Sequence, residues 1–176
     1  MKIVSKEAEF NTEDIIEVNR ATVARLVQLA AQAPRKRYRL CLHRSPDLVV
    51  NEMVIVGTRG TYIRPHRHPA GKDESYYVME GEMVVFIFDN SGKVVRHVEM
   101  GEYKSGRTVL YRLSASIWHL PVPLTEWVVY HEVFTGPFEK DRDVEYAPWS
   151  PPETEVAAVS SYMDGLMRTR QPPTNP

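Results

Sequence analysis

Between Gly60 and Gly81 the chain reads GTYIRPHRHPAGKDESYYVMEG. Five residues separate Gly60 from His66, one separates His66 from His68, and six separate Glu74 from Gly81. Side chains alternate along an extended strand, so the His-x-His step puts both imidazoles on one face. Pro69, Gly71 and the Lys72-Asp73 pair read as a turn. The chain then returns through Ser75 to Met79, which lets Glu74 face the histidines across a hairpin. Two imidazoles and a carboxylate suit a divalent first-row metal: iron, manganese, nickel or zinc. The plain alternatives are two surface histidines, or a barrel that keeps the outline of a site and binds nothing.

Around this segment the pattern is short strands and turns. Strands are expected near 38–43, 52–57, 61–66, 75–80, 83–89, 94–98, 108–113, 117–122 and 126–134. Asp89-Asn90-Ser91-Gly92 is a strong hairpin signal. Many short strands with no long helix between them predict an all-β antiparallel barrel or double-sheet jelly roll. A third histidine, His119, sits in one of these strands.

The two ends differ from the middle. Asn11 or Thr12 can cap a helix that carries Ile16, Val23, Val27 and Ala30 near helical spacing and stops at Pro34. After Phe134, Gly136-Pro137, Pro148, Pro151-Pro152 and the final QPPTNP read as extended or loose. Between them Glu153 to Arg168 can form a short helix with Val156, Val159, Met163 and Leu166 on one face. It would either cap the barrel or dock on a partner subunit. The organisation expected is a helical segment over 1–34, a barrel over 35–138 and a Pro-rich extension over 139–176.

Composition narrows the partners. At 176 residues the chain is long enough for one domain with a real core. With 22 basic and 23 acidic residues there is no electrostatic case for nucleic acid or an acidic membrane. The single cysteine, Cys41, allows no internal disulfide and suits the cytoplasm. The first residues, MKIVSKEAEFNTED, contain no apolar core of a signal peptide, and no apolar run is long enough to span a membrane.

The Gly60–Gly81 set resembles the first signature of the cupin superfamily, with one departure: five residues lie between His68 and Glu74 instead of three or four. The second cupin signature, Pro-x-Gly-x-x-His, is degraded to Ser114-Ala115-Ser116-Ile117-Trp118-His119, which keeps only the histidine. This resemblance implies a double-stranded β-helix (jelly-roll barrel) with His66, His68, Glu74 and His119 as metal ligands, and a homodimer paired through edge strands. From about Ala33 to Pro151 the chain is also similar to the WbuC-type cupin-fold metalloproteins. The matching pieces include Pro34-Arg35-Lys36-Arg37, Pro65-His66-Arg67-His68-Pro69, Trp118-His119, Glu132 before Gly136-Pro137, and Ala147-Pro148-Trp149. That family has Asn where this chain has Cys41, and its name comes from genes linked to O-antigen polysaccharide synthesis.

Further candidates surround the ligands. Arg35, Arg37, Arg39, Cys41 and His43 share one strand parity. The row either grips phosphate or carboxylate groups, with Arg37 and Arg39 as substrate-binding residues, or forms a solvated edge or dimer contact. Tyr62 and Arg64 have the parity of His66, and Tyr76 has that of Glu74. Each is a candidate for the barrel mouth or ordinary filling. His131 and Glu132 face opposite ways, and the resemblance favours Glu132 as an inward general acid or base. His97 reads as exposed, and Trp118, Trp127 and Trp149 as packing.

Three functions follow. The first is a metal-dependent enzyme on a small, sugar-like substrate, by isomerisation, epimerisation or oxygen-dependent cleavage. The second is a metal-containing binding module for a sugar or small acid. The third is a metal-free sugar-nucleotide epimerase.

Overall fold

A computed structural model describes residues 1–114 and 116–170. These residues form twelve strands: β1 (Lys2–Ser5), β2 (Ala8–Phe10), β3 (Arg37–Cys41), β4 (Val50–Thr58), β5 (His66–Arg67), β6 (Glu74–Glu80), β7 (Glu82–Phe88), β8 (Val94–Gly101), β9 (Leu110–Leu113), β10 (Trp118–Pro123), β11 (Trp127–Thr135) and β12 (Glu145–Tyr146). Among the described residues three α-helices accompany them, α1 (Arg20–Gln32), the single turn α2 (Lys140–Asp143) and α3 (Val156–Thr169), with a 3-10 turn at Tyr103–Ser105. One sheet has seven strands in the order β1-β2-β3-β4-β11-β6-β9, and the other has five in the order β12-β5-β10-β7-β8.

The two sheets face each other as a jelly roll, and β7 shows why. Its sequence EMVVFIF is apolar on both parities, so it must be covered on both sides. Met83 and Val85 point inward with Ile55, Tyr76, Val78, Val128 and Tyr130. Val84, Phe86 and Phe88 point outward and meet Leu166, Val159, Met163 and Trp149 of the C-terminal segment. The helix α3 therefore caps this sheet's outer face, which answers the question its sequence left open. Across the molecule α1 lays Leu26 and Ala30 on Tyr38, Leu40, Val54 and Val56, the outward parity of β3 and β4. Each buried leucine or valine in this layer contributes about 1.5–3 kcal/mol.

Several expectations are corrected. The helix does not begin at Asn11 or Thr12. Asn11 instead bonds the Glu13 and Leu42 carbonyls and accepts from the Glu13 N–H, an Asx turn. The helix starts after Asn19, whose side chain accepts from Thr22 N–H at 3.1 Å. The segment 1–34 is not purely helical, since β1 and β2 add to the edge of the large sheet, with β2 parallel to β3. Likewise the extension after residue 138 supplies β12, which pairs with β5. The strand expected over 61–66 is reduced to His66–Arg67, because the stretch between Gly60 and Pro65 runs irregularly into it. The loose end expected over 171–176 lies outside the described residues. Among the described residues no helix is long and apolar enough to cross a membrane.

Candidate metal centre

The imidazoles converge from two strands of one sheet. His66 on β5 and His119 on β10 are directly paired in register, with ring centroids 4.2 Å apart. His68 lies just past β5, its ring 5.2 Å from that of His66 and 5.5 Å from that of His119. One ligand atom from each of the three histidines lies within 4.8 Å of the others. Glu74 does not reach them across a hairpin, because β5 and β6 belong to different sheets. Its carboxylate approaches from the opposite sheet, with Oε1 at 3.1 Å from His119 Nε2 and Oε2 at 3.5 Å from His68 Nε2. Asp73, the neighbouring carboxylate, is directed to Arg112 instead.

Three backbone carbonyls orient the rings. The Nδ1 of His66 bonds Arg64 O at 3.0 Å, that of His68 bonds Asp143 O at 2.7 Å, and that of His119 bonds Ile117 O at 3.0 Å. A carbonyl can only accept, so each Nδ1 carries the proton and each Nε2 presents a lone pair. This is the arrangement that orients metal-ligating histidines. His119 Nε2 is fully buried and has no hydrogen-bond partner among the described residues. An orphaned buried acceptor is costly unless something else occupies it. These residues fit a metal ion held by imidazole nitrogens with a carboxylate alongside.

The electrostatics show a demand for positive charge beside Glu74, which protons on the imidazoles meet in the metal-free chain and a bound cation would meet in their place. Burial, with the neighbouring His119 and His68, holds His66 well below the usual imidazole range. Burial alone would raise Glu74, but His119 and His68 outweigh it and hold the carboxyl well below its ordinary value. Burial works against a charged His68, yet Glu74 wins and raises it. Glu74 also receives two tyrosine hydroxyls, Tyr76 Oη onto Oε2 at 2.9 Å and Tyr111 Oη onto Oε1 at 3.3 Å. Tyr111 was not singled out in the sequence, although its register opposite Tyr76 places it here.

The glycines of the first signature serve its turns. Gly81, at φ +81°, joins β6 to β7 where an added Cβ would lie 2.4 Å from Trp127 O. In the degraded second signature Ser116 stands where the pattern has glycine, and it still adopts φ +71°. Its N–H donates to His68 O at 2.7 Å, which ties the loop before His119 to the first two histidines.

A cavity of about 280 Å³ opens beside the histidines. His66, His68, Glu74, Tyr76 and Glu132 line one side, and Arg35, Arg37, Arg39, Cys41 and His43 line the other. His119 stands behind the wall, fully buried. The register sets Cys41, Met53, Glu132, Tyr76 and Tyr111 side by side across β3, β4, β11, β6 and β9. Burial and the nearby Glu74 carboxylate push Glu132 up to about 7. Burial pushes the Cys41 thiol up to about 11. His131 turns the other way, with Nε2 at 3.7 Å from Glu52.

Two candidates do not reach the cavity. Tyr62 and Arg64 sit in irregular chain before β5, so strand parity does not govern them. Tyr62 is core, its hydroxyl donating to Pro151 O at 2.9 Å and its ring near Tyr162. Arg64 donates to Ser150 Oγ and Ala147 O, which fastens the C-terminal segment to the barrel. His97 is not simply exposed: it is half-buried against Phe86 and bonds Thr169 Oγ1 at 3.1 Å. Trp118 and Trp149 pack together under α3.

Residues 18–100 match a family described as a domain of unknown function, DUF6016. Among solved structures, protein SO0799 from Shewanella oneidensis is similar over 77% of this chain and 87% of its own, at 12% identity and TM-score 0.54. The fold is that of a cupin. The capsular polysaccharide assembling protein CapF from Staphylococcus aureus is similar over 61% of this chain at 14% identity and TM-score 0.51. The chain spans only 31% of CapF. No curated protein matches the chain.

Proposed function

We propose that this cupin is a metal-dependent enzyme acting on a small oxygen-rich molecule, with His66, His68, Glu74 and His119 as the ligands. The observation that carries the reading is the set of three imidazoles whose Nδ1 protons are committed to carbonyls while the Nε2 lone pairs converge beside Glu74. A bound divalent ion would supply Lewis acidity toward substrate oxygens and lower the pKa of its water. Ligand types leave iron, manganese, nickel and zinc open.

The chain's own residues take the remaining roles. Glu132, held near neutrality beside the cavity, takes or returns a proton on the bound molecule. Tyr76 and Tyr111 hold Glu74 in place through its two oxygens. Glu132 favours an enzyme over a binding module, since a purely binding site has no use for a carboxyl poised near pH 7. A metal-free epimerase would need a histidine and a tyrosine free to exchange protons, whereas Tyr76 is engaged by Glu74. The resemblance to WbuC-type proteins and the description of CapF as a capsular polysaccharide assembling protein both favour a sugar-like substrate. A homodimer in the cytoplasm is part of the same proposal.

The test is metal content per chain, by elemental mass spectrometry on protein purified without a His-tag, with His66→Ala and His119→Ala in parallel. Near one equivalent of a transition metal, lost in both variants, is expected. No metal after reconstitution with iron, manganese, nickel and zinc would overturn the proposal.

A further inference from the structure

The arginine row on β3 divides by partner. Arg35 pairs with Glu7 and with Glu153. Arg37 is buried, donates to Tyr62 O at 2.7 Å and pairs with Glu153 Oε1 at 3.0 Å. Both hold the chain around the cavity mouth. Arg39 differs: it is half-buried, lines the cavity, and its guanidinium makes no ion pair or hydrogen bond among the described residues. A half-buried guanidinium without a partner forgoes the bidentate pairing that its fork is shaped for.

Its position relative to the other groups is informative. Across the large sheet the order is β3, β4, β11, β6, so Glu132 on β11 lies between Arg39 on β3 and Glu74 on β6. A molecule with an anion at Arg39 and an oxygen donor at the histidines would pass over Glu132. We propose that the ligand of this cavity is a small hydroxy acid whose carboxylate is held by Arg39 while its far oxygens meet the His66–His68–His119 cluster. The inference deepens the proposed function and rests on it for the metal end only.

A monoanionic carboxylate fits better than a phosphate. Glu74 and Glu132 already line the same cavity, and a dianion would face both, with Arg39 and Lys140 as the lining cations outside an ion pair among the described residues. A cavity of about 280 Å³ is at the small end of ligand sites, which suits a compact acid and not a sugar nucleotide.

The experiment is a calorimetric titration with hydroxy acids of roughly two to six carbons, glycolate through gluconate. The polyol matching each acid and glycerol 3-phosphate are titrated alongside. The wild type is compared with Arg39→Gln, with Arg39→Lys, which keeps the charge but loses the fork, and with Arg96→Gln, exposed on β8 away from the cavity, as a control. Melting curves check that each variant is folded. At least one acid should bind at least 10-fold tighter than its polyol. That preference should vanish in Arg39→Gln, fall partway in Arg39→Lys and persist in Arg96→Gln. Acids and polyols binding alike, a preference that survives Arg39→Gln, no binding by any acid, or tighter binding of the phosphate ester would each overturn the proposal.

Metal content of the same samples keeps the two readings apart. A metal-free chain that still prefers acids through Arg39 removes the metal and keeps the acid. A metal-loaded chain that ignores the carboxylate does the reverse.

Discussion

His119 Nε2 lies 3.1 Å from Glu74 Oε1, yet no hydrogen bond joins them. The nitrogen is buried, its tautomer is set by the bond from Nδ1 to Ile117 O, and its lone pair points toward a carboxylate that cannot donate. Two acceptors this close are unfavourable without a cation or proton between them. Tyr76 fixes one oxygen of that carboxylate. Tyr76→Phe should therefore leave all four proposed ligands present but weaken metal affinity by roughly 10–100-fold. Competition with a chromogenic chelator would measure it. An unchanged affinity would mean that Glu74 needs no support from the hydroxyl.

Ser116 carries a backbone cost that only Lys36 shares among the described non-glycine residues. A non-glycine residue at φ +71° is strained by about 1–2 kcal/mol. Ser116→Gly relieves the strain but adds freedom to the unfolded chain, so a net gain of up to about 1 kcal/mol is expected in urea denaturation. Gly81→Ala should go the other way, because its Cβ would lie 2.4 Å from Trp127 O as well as at positive φ. A loss of at least about 1–3 kcal/mol is expected. Equal stability in both variants would show that the two turns relax freely.

The buried thiol gives a third prediction. Cys41 lies on the cavity face of β3, and burial outweighs the nearby Arg39 in pushing its pKa to about 11. The thiolate is the reactive form, so only on the order of one thiol in a thousand is reactive at pH 8. Iodoacetamide should label Cys41 far more slowly than a free thiol at pH 8 and speed up tenfold per pH unit up to about 10. Fast labelling in folded protein at pH 8 would contradict the burial of this thiol.

How much of this was legible depends on how local each signal is. His66, His68 and Glu74 sit within nine residues, and nearly all the strands from Tyr38 to Phe134 announce themselves by alternation between turn residues. Tyr62 and Arg64 were misassigned because parity was extended through a stretch that Gly60 and Pro65 keep out of the sheet. β1 and β2 were missed because they are three or four residues long, and β1 is exposed throughout. β1 is held only by pairing to β2, and β2 by pairing to β3, a partner about thirty positions away that no local pattern names. The true start of α1 was hidden by two competing asparagines, since either Asn11 or Asn19 can cap a helix. Tyr111 escaped for the same reason as β2: only strand pairing brings it to Glu74. The free state of Arg39 is likewise a property of its neighbours, as Arg35 and Arg37 look identical to it in sequence.

Glu132 supplies the pH dependence. Its folded pKa of about 7 lies above the ordinary value of 4.5, mainly through burial and then Glu74. The folded state thus holds a proton on Glu132 where the unfolded chain has already released it. Stability is then lost as pH rises from about 4.5 to about 7, and the loss levels off above that. Glu132→Gln is neutral at every pH and escapes this cost. In metal-free protein the variant should melt close to the wild type at pH 5 and above it at pH 8. The same difference at both pH values would mean that Glu132 ionises as an ordinary carboxylate. It would then have no special fitness as the proton-transfer group beside the metal. If the difference grows with pH as expected, and Glu132→Gln also leaves metal content unchanged, its role is separated from that of the ligands.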